Sequence, residues 1–487
     1  MTVSDREILA PRASVLIESM RDIGYSLQTA VADVIDNSIT AGANTVKLLT
    51  DTDSENPAIG ILDDGCGMSK TELLEAMRPG TKNPLDKRAI HDLGRFGLGL
   101  KTASFSQSRR LIVLTRKGEE TSCAIWDLDT VAKEEDWIVE FPSSFSDIPW
   151  GKCLSSSGTL VVWQKLDRLI DERNGGDHKN MNRQIDETAS HLELVFHRYL
   201  AGEKGLKRVS MSLNGRPLEP FDPFHSRHDA TIHGPEEVFR FGDHEILIQT
   251  FTLPHHKKVS AEDWNRYAGP EGYIKNQGFY LYREKRLIIH GTWFGLAKQT
   301  ELTKLARVRI DMPNGMDAEW KIDVKKASAQ PPGPVRDRLR RIIETIGAGS
   351  RRIYVSRGKR LISDNRLPVW IRVQDKNRIH YRLNPEHPAF KNFSEELTNQ
   401  QQHKFLRLLD LVGSAMPIDT IFSDVSSTPE SVSPQELDGE SFCEIVKRTY
   451  SILKDEKYSE EDIQLMMSSA EPFKSRWEEA KEIIFKR

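Results

Sequence analysis

Apolar residues recur at helical spacing through residues 14–40, first at Val15, Leu16, Met20 and Ile23, then at Leu27, Ala30, Val31, Val34 and Ile35. That spacing lays one apolar stripe along an amphipathic helix, and Gly24 in the middle of the run divides it into two helices. Short apolar runs at 46–49, 59–62, 111–115 and 158–163 read as buried strands. Residues 69–93 lose all periodicity and gain Pro79, Gly80, Pro84 and a cluster of charges, which predicts a loop or lid. A charged stretch at 167–186 leads into a helix over 187–200. Strand-like segments at 208–213, 245–253, 278–287 and 307–312 then define a second region. Pro331, Pro332, Gly333 and Pro334 punctuate the chain before a basic helix over 335–346. A third region beyond Arg351 is split by a Ser- and Pro-rich linker at 423–434, and its end, 440–486, is helical in pattern.

Composition narrows the class. At 487 residues, 38% hydrophobic and 29% charged, the chain is globular and too long for one ordinary core. The net charge of -3 supplies no global attraction to nucleic acid or anionic membrane, leaving 336–360 as the local basic stretch. Four dispersed cysteines without CxxC spacing argue against a zinc site or disulfide framework. There is no apolar leader and no run long enough to span a bilayer, so the expectation is a cytoplasmic protein without a membrane partner. The histidines form no HExxH set, and no Ser/His/Asp hydrolase signature stands out. Trp370, Arg372, Lys376, Arg378 and His380 fit either a nucleic-acid or partner contact or an ordinary mixed surface.

Three motifs carry chemistry. In Asp33-Val34-Ile35-Asp36-Asn37, positions i and i+4 of a helix place Asp33 and Asn37 on one face. A carboxylate there can deprotonate an attacking water, and the carboxamide oxygen suits Mg2+. Asp36, beside them, can bond water or nucleotide. In Asp63-Asp64-Gly65-Cys66-Gly67-Met68, an acid at a strand end can accept from an exocyclic amine such as that of adenine. Gly65 and Gly67 allow close backbone approach, and Met68 offers an apolar wall. The third, Gly94-Arg95-Phe96-Gly97-Leu98-Gly99-Leu100-Lys101-Thr102, fails the Walker A spacing because Leu100 intervenes before Lys101-Thr102. It is instead a glycine-rich turn into a helix N-terminus, a favourable place for phosphate, with Lys101 as an added point charge.

These motifs resemble the N-box, G1 box and G2 box of the GHKL (Bergerat-fold) ATPases, the group of DNA gyrase B subunits, MutL, heat-shock chaperones, histidine kinases and MORC proteins. Ser157-Gly158-Thr159 resembles the group's final nucleotide element, in which Thr159 helps hold adenine through water. The resemblance implies that Asp33 is the catalytic residue and that Asn37 is the metal ligand. It implies nucleotide contacts from Asn37, Asp63, Gly65, Gly67, Met68, Thr159, the whole stretch from Gly94 to Thr102, and Lys82 in the lid. The group usually carries Glu where this chain has Asp33, which reaches roughly 1.5 Å less far. A displacement of about 1 Å can slow a reaction on the order of a hundredfold.

The segment from Gly278 to Ile288 is similar to a strand and turn in the S5-like transducer of MORC proteins. Trp320-Lys321-Ile322-Asp323-Val324-Lys325-Lys326 resembles the transducer loop whose lysine reaches the gamma-phosphate, with Lys326 favoured and Lys325 the alternative. A histidine kinase would lack such a domain. The expectation is a multidomain α/β (α+β) chain: a Bergerat α/β sandwich at 1–200 with its ATP lid at 69–93, then an S5-like transducer at 201–347. A mixed, largely helical C-terminal part follows at 348–422, with a linker at 423–436 and a helical segment at 437–487. The implied activity is Mg2+-dependent ATP hydrolysis in an ATP-gated homodimeric clamp acting on DNA, in DNA transactions or DNA-based defence. The alternatives are a chaperone-like machine with a protein partner and a slow-turnover ATP-binding scaffold.

Overall fold

The computed structural model describes residues 11–80, 99–169, 178–322, 329–359, 369–375, 378–385, 387–427, 435 and 437–485. The chain divides into two compact units, Met1–Ile346 and Gly347–Arg487. Among the described residues no helix is long and apolar enough to cross a membrane.

The first unit opens with α1 (Ala13–Arg21) and α2 (Leu27–Thr40), separated at Gly24, whose φ of 83° suits glycine. Ser26 caps α2 by accepting the Thr29 amide. Strands β1 (Thr45–Asp51) and β2 (Ala58–Asp63) follow, then α3 (Lys70–Met77) and α4 (Gly99–Gln107). Next come β3 (Arg110–Lys117), β4 (Glu120–Asp127), α5 (Leu128–Glu134), β5 (Gly158–Gln164), α6 (His178–Val195), α7 (His197–Ala201), β6 (Ser210–Leu213) and β7 (Arg216–Pro217). These seven strands form one sheet in the order β4-β3-β5-β2-β1-β6-β7. All pairings are antiparallel except β1 with β6, so the sheet continues past residue 200.

Period-two alternation assigns the two faces. Ile59, Ile61, Leu111, Val113, Ala124, Trp126, Val161 and Trp163 join the helix-covered core. Their neighbours Ala58, Leu62, Ile112, Leu114, Cys123, Ile125, Leu160 and Val162 form a second cluster with Ile148 and Trp150. Gly60 is where the Trp150 ring lies: a Cβ at that position would stand 2.7 Å from it.

The second sheet of this unit has the order β11-β10-β12-β9-β8. It is built from β8 (Ile232–Phe241), β9 (His244–Thr252), β10 (Gly278–Arg283), β11 (Arg286–Thr292) and β12 (Ala306–Met312), with short helices α8 (Ala261–Ala268) and α9 (Gly272–Lys275) between β9 and β10. Val335, Leu339 and Ile342 of α10 (Gly333–Lys359) complete its core with Phe279, Trp293, Val308 and Trp320.

In the second unit, β13 (Trp370–Asp375) pairs antiparallel with β14 (Arg378–Leu383); α11 (Pro388–Glu395), α12 (Asn399–Ser414) and α13 (Ile418–Ser427) follow. The last three helices, α14 (Gly439–Asp455), α15 (Glu460–Ser469) and α16 (Trp477–Phe485), close over Phe442, Val446, Leu453, Ile463 and Phe473. Lys376 and much of the expected linker lie outside the described residues.

Two helices depart from expectation. Residues 70–77 are helical rather than loop, because Ser69 and Glu72 make a reciprocal capping box that starts α3. The helix expected at 187–200 starts at His178, inside the charged stretch, and breaks at Phe196 into α6 and α7.

Candidate functional site

The site gathers at one end of α2 and the adjoining strand ends. Asp63 closes β2 and is buried. Its Oδ1 accepts the amides of Gly65 at 2.9 Å and Thr159 at 3.2 Å, and its Oδ2 accepts the Ser38 hydroxyl at 2.8 Å. Burial raises its pKa above the usual carboxylate value, with those three donors acting in the opposite direction. The network continues through Thr115 of β3. Thr115 lies 3.1 Å, hydroxyl to hydroxyl, from Thr159, donates to the Gly158 carbonyl and accepts the Met68 amide at 2.9 Å.

Two glycines of the site are required by backbone packing. A Cβ on Gly67 (φ 64°) would lie 1.9 Å from the Arg116 carbonyl oxygen, and one on Gly158 (φ 131°) 2.0 Å from the Asp63 carbonyl oxygen. Gly65 is nearly as confined, with the Ala41 Cβ at 2.9 Å. The turn after β2 is thereby pressed against β3 and the start of β5, and Asp63, Met68 and Thr159 meet in one place.

On α2, Asp33 and Asp36 are buried while Asn37 is exposed. Asn37 Nδ2 donates to the Asp33 carbonyl at 3.3 Å, one helical turn back. Ser38, the next residue, is rotated toward Asp63. Asp33 Oδ2 accepts the Tyr25 hydroxyl at 3.0 Å. Sequence reasoning singled out neither Tyr25 nor Ser38, nor the cation opposite the two acids: Arg286, the first residue of β11. Its Nε donates to Asp36 Oδ1 at 3.2 Å, and its Nη2 lies 3.8 Å from Asp33 Oδ1.

The remaining expected residues divide into two groups. Gly99 and Leu100 open α4, and Thr102 is buried in its first turn. Lys101 is buried as well, and its ammonium donates to the Ala76 and Arg78 carbonyls, both at 2.9 Å, placing a cation at the C-terminal end of α3. Lys82, Gly94, Arg95, Phe96, Gly97, Leu98, Lys325 and Lys326 lie outside the described residues. Among the described residues, the Gln330 amide donates to the Trp320 carbonyl at 2.7 Å.

Among the described residues no cluster of three His, Cys, Asp or Glu side chains is arranged as a metal site. A separate cleft of 1210 Å³ runs between α6 and the second sheet, past His191, His290 and Arg307, and includes neither Asp33 nor Asp63.

Residues 25–158 match the family model described as "Histidine kinase-, DNA gyrase B-, and HSP90-like ATPase". The chain is 32% identical over 186 residues to the chaperone protein HtpG of Rickettsia canadensis (strain McKiel), covering 36% of this chain and 27% of the chaperone. It is 30% identical over 135 residues to the human MORC family CW-type zinc finger protein 1, covering 25% of this chain and 13% of that protein. With the ATPase morc-1 of Caenorhabditis elegans the identity is 31% over 90 residues, 18% of this chain and 10% of the relative. The chain thus spans about a quarter or less of the length of these relatives.

Proposed function

Residues 25–158 are a GHKL ATPase domain, and from that premise we propose that the protein binds Mg-ATP and hydrolyses it at the α2–β2 site. The observation that carries the reading is Asp63: a buried carboxylate fixed by Ser38, Gly65 and Thr159, beside the helix that bears Asp33 and Asn37. Both oxygens of Asp63 are held by donors from this chain, so its remaining acceptor capacity has a fixed direction, as recognition of an adenine amine requires. Met68 and Thr159 flank it.

The exposed Asn37 fits a magnesium site. Its Nδ2 is taken by the Asp33 carbonyl, which sets the carboxamide plane and leaves a hard oxygen ligand on the open side. Bound Mg2+ supplies charge neutralisation at the phosphate oxygens. Asp33 accepts the proton of the attacking water as the new O–P bond forms, the bond to the bridging oxygen breaks and ADP leaves; the proton then passes to solvent. Lys326, or Lys325 in its place, neutralises charge at the transferred phosphoryl group.

Asp33→Ala is expected to abolish phosphate release while leaving binding of a non-hydrolysable ATP analogue in place. Asp63→Asn should weaken analogue binding itself. Undiminished turnover in Asp33→Ala would remove Asp33 from its role. An ATP-gated homodimeric clamp is the form in which we place this activity, with DNA as the bound object. Sedimentation with and without the analogue, and turnover with and without duplex DNA, test the two parts. HtpG is named a chaperone, so a protein client is the outcome to accept if DNA neither binds nor changes turnover. One observation favours a second reading as a slow-turnover switch: the short Asp33 carboxylate is bonded to the Tyr25 hydroxyl, which holds it back from an attacking water.

A further inference from the structure

Arg286 belongs to the second sheet, yet its guanidinium lies among the acids of α2, 250 residues away in sequence. It is buried, as are Asp33 and Asp36. Each of its nitrogens has a distinct position. Nε bonds Asp36 at 3.2 Å, and Nη1 donates to the Leu287 carbonyl at 2.9 Å. Among the described residues Nη2 makes no hydrogen bond, and it faces Asp33 at 3.8 Å. A buried donor without a hydrogen bond is unfavourable, so this arrangement is held by its surroundings rather than by its own best geometry.

Those surroundings are stiff. The hairpin tip immediately before Arg286 has two consecutive non-glycine residues at positive φ, Glu284 at 48° and Lys285 at 69°. A tight two-residue turn of this kind favours Asn-Gly, and left-handed backbone at bulkier residues persists only where neighbours impose it. The neighbours are identifiable. The Tyr199 hydroxyl donates to the Glu284 carbonyl at 2.6 Å, Glu284 accepts the Asn314 amide at 3.1 Å, and Arg283 pairs with Asp317 through two bonds at 2.8 and 2.9 Å. Lys285 reaches Asp311 at 3.4 Å, and the Phe196 ring lies 5.4 Å from the Arg286 guanidinium carbon.

We infer that Arg286 is a positioning residue that couples the second sheet to hydrolysis: anchored on Asp36, it sets the place of the Asp33 carboxylate. The inference rests on the ATPase reading above. It also separates the two acids. Asp36 is the anchor, because it takes the hydrogen bond. Asp33 accepts the Tyr25 hydroxyl at 3.0 Å and faces Nη2 at 3.8 Å, so its place follows from the anchored guanidinium. A shift of the hairpin then moves the base, and nucleotide at the base pulls on the hairpin.

The test begins with analogue binding to the unmodified protein; its absence sinks the site reading and this inference together. Given binding, Arg286→Ala should lower kcat by about tenfold to a hundredfold, with KM and analogue affinity changed less than about twofold. Arg286→Lys should recover only part of kcat, since a point charge lacks the planar fork. An unchanged kcat in Arg286→Ala overturns the coupling and leaves the ATPase reading standing. If that variant misfolds, Asp36→Asn/Arg286→Met removes both charges at once, a replacement that buried pairs commonly tolerate. A well-folded double variant with low kcat supports the positioning role, and one turning over like the parent overturns it. Hydrogen exchange across Gly278–Arg283 and Arg286–Thr292 supplies a readout besides rate. Analogue should alter exchange there in the parent and leave it unaltered in Arg286→Ala; the same response in both proteins overturns the inference.

Discussion

Gly67 shows how little freedom the site has at single positions. Its positive φ and the 1.9 Å approach of the Arg116 carbonyl oxygen to any added Cβ leave no room for alanine. Gly67→Ala should cost on the order of 3 kcal/mol in denaturant unfolding and lower ATP affinity, because the Met68–Thr115 bond depends on the same approach. Three histidines contribute to the response to acid. Burial pushes His191 down to about 3, and His197 and His290 down to about 4. His197, 2.8 Å from the Tyr282 hydroxyl, is the most enclosed of them. The unfolded chain binds protons at these rings near pH 6.5, before the folded chain does. Their contribution is therefore complete above that value and is lost as pH falls toward 4. Asp63, with its raised pKa, acts in the opposite sense as a single group. The melting temperature should fall between pH 6.5 and 4, and replacing His197 with an apolar ring should flatten that slope. An unchanged slope would assign the acid sensitivity elsewhere.

Elements differ in how clearly the sequence announces them. The divided helix at α1 and α2 is legible from its apolar spacing, and strands β2, β3 and β5 are legible because both faces of the sheet are buried there, so each is a nearly continuous apolar run. Strand β8 is not, for a physical reason: it is the edge of the second sheet, mostly solvated, and contains Pro235. Helix α3 was hidden by the charges and prolines after it, although Ser69 and Glu72 spell its capping box. The acids and glycines of the site were legible as local motifs, whereas Arg286 was not, since nothing local marks a contact made across 250 residues. Lys101 belongs at this scale as well. Lys101→Met should strip two buried charge-assisted bonds from the end of α3 and lower the melting temperature of the nucleotide-free protein, by on the order of 3 kcal/mol in stability. A change in ATP affinity alone, with the melting temperature unmoved, would return the lysine to the phosphates.

Across the whole molecule, the sheet does not respect the boundary that the motifs suggest. Strand β6 runs parallel to β1 at Thr45–Ser210, Val46–Met211, Lys47–Ser212 and Leu48–Leu213, after the chain has already passed through α6 and α7. A fragment ending at residue 200 keeps the three opening motifs and Ser157-Gly158-Thr159 but leaves β1 as an open edge, ready to pair with another chain. That fragment should aggregate on gel filtration, whereas one ending at residue 346 should elute as a defined species. In the currency of recombination, the smallest transferable piece of this protein is therefore the entire first unit: an exchange that carried only the nucleotide motifs into another chain would deliver a sheet without its border.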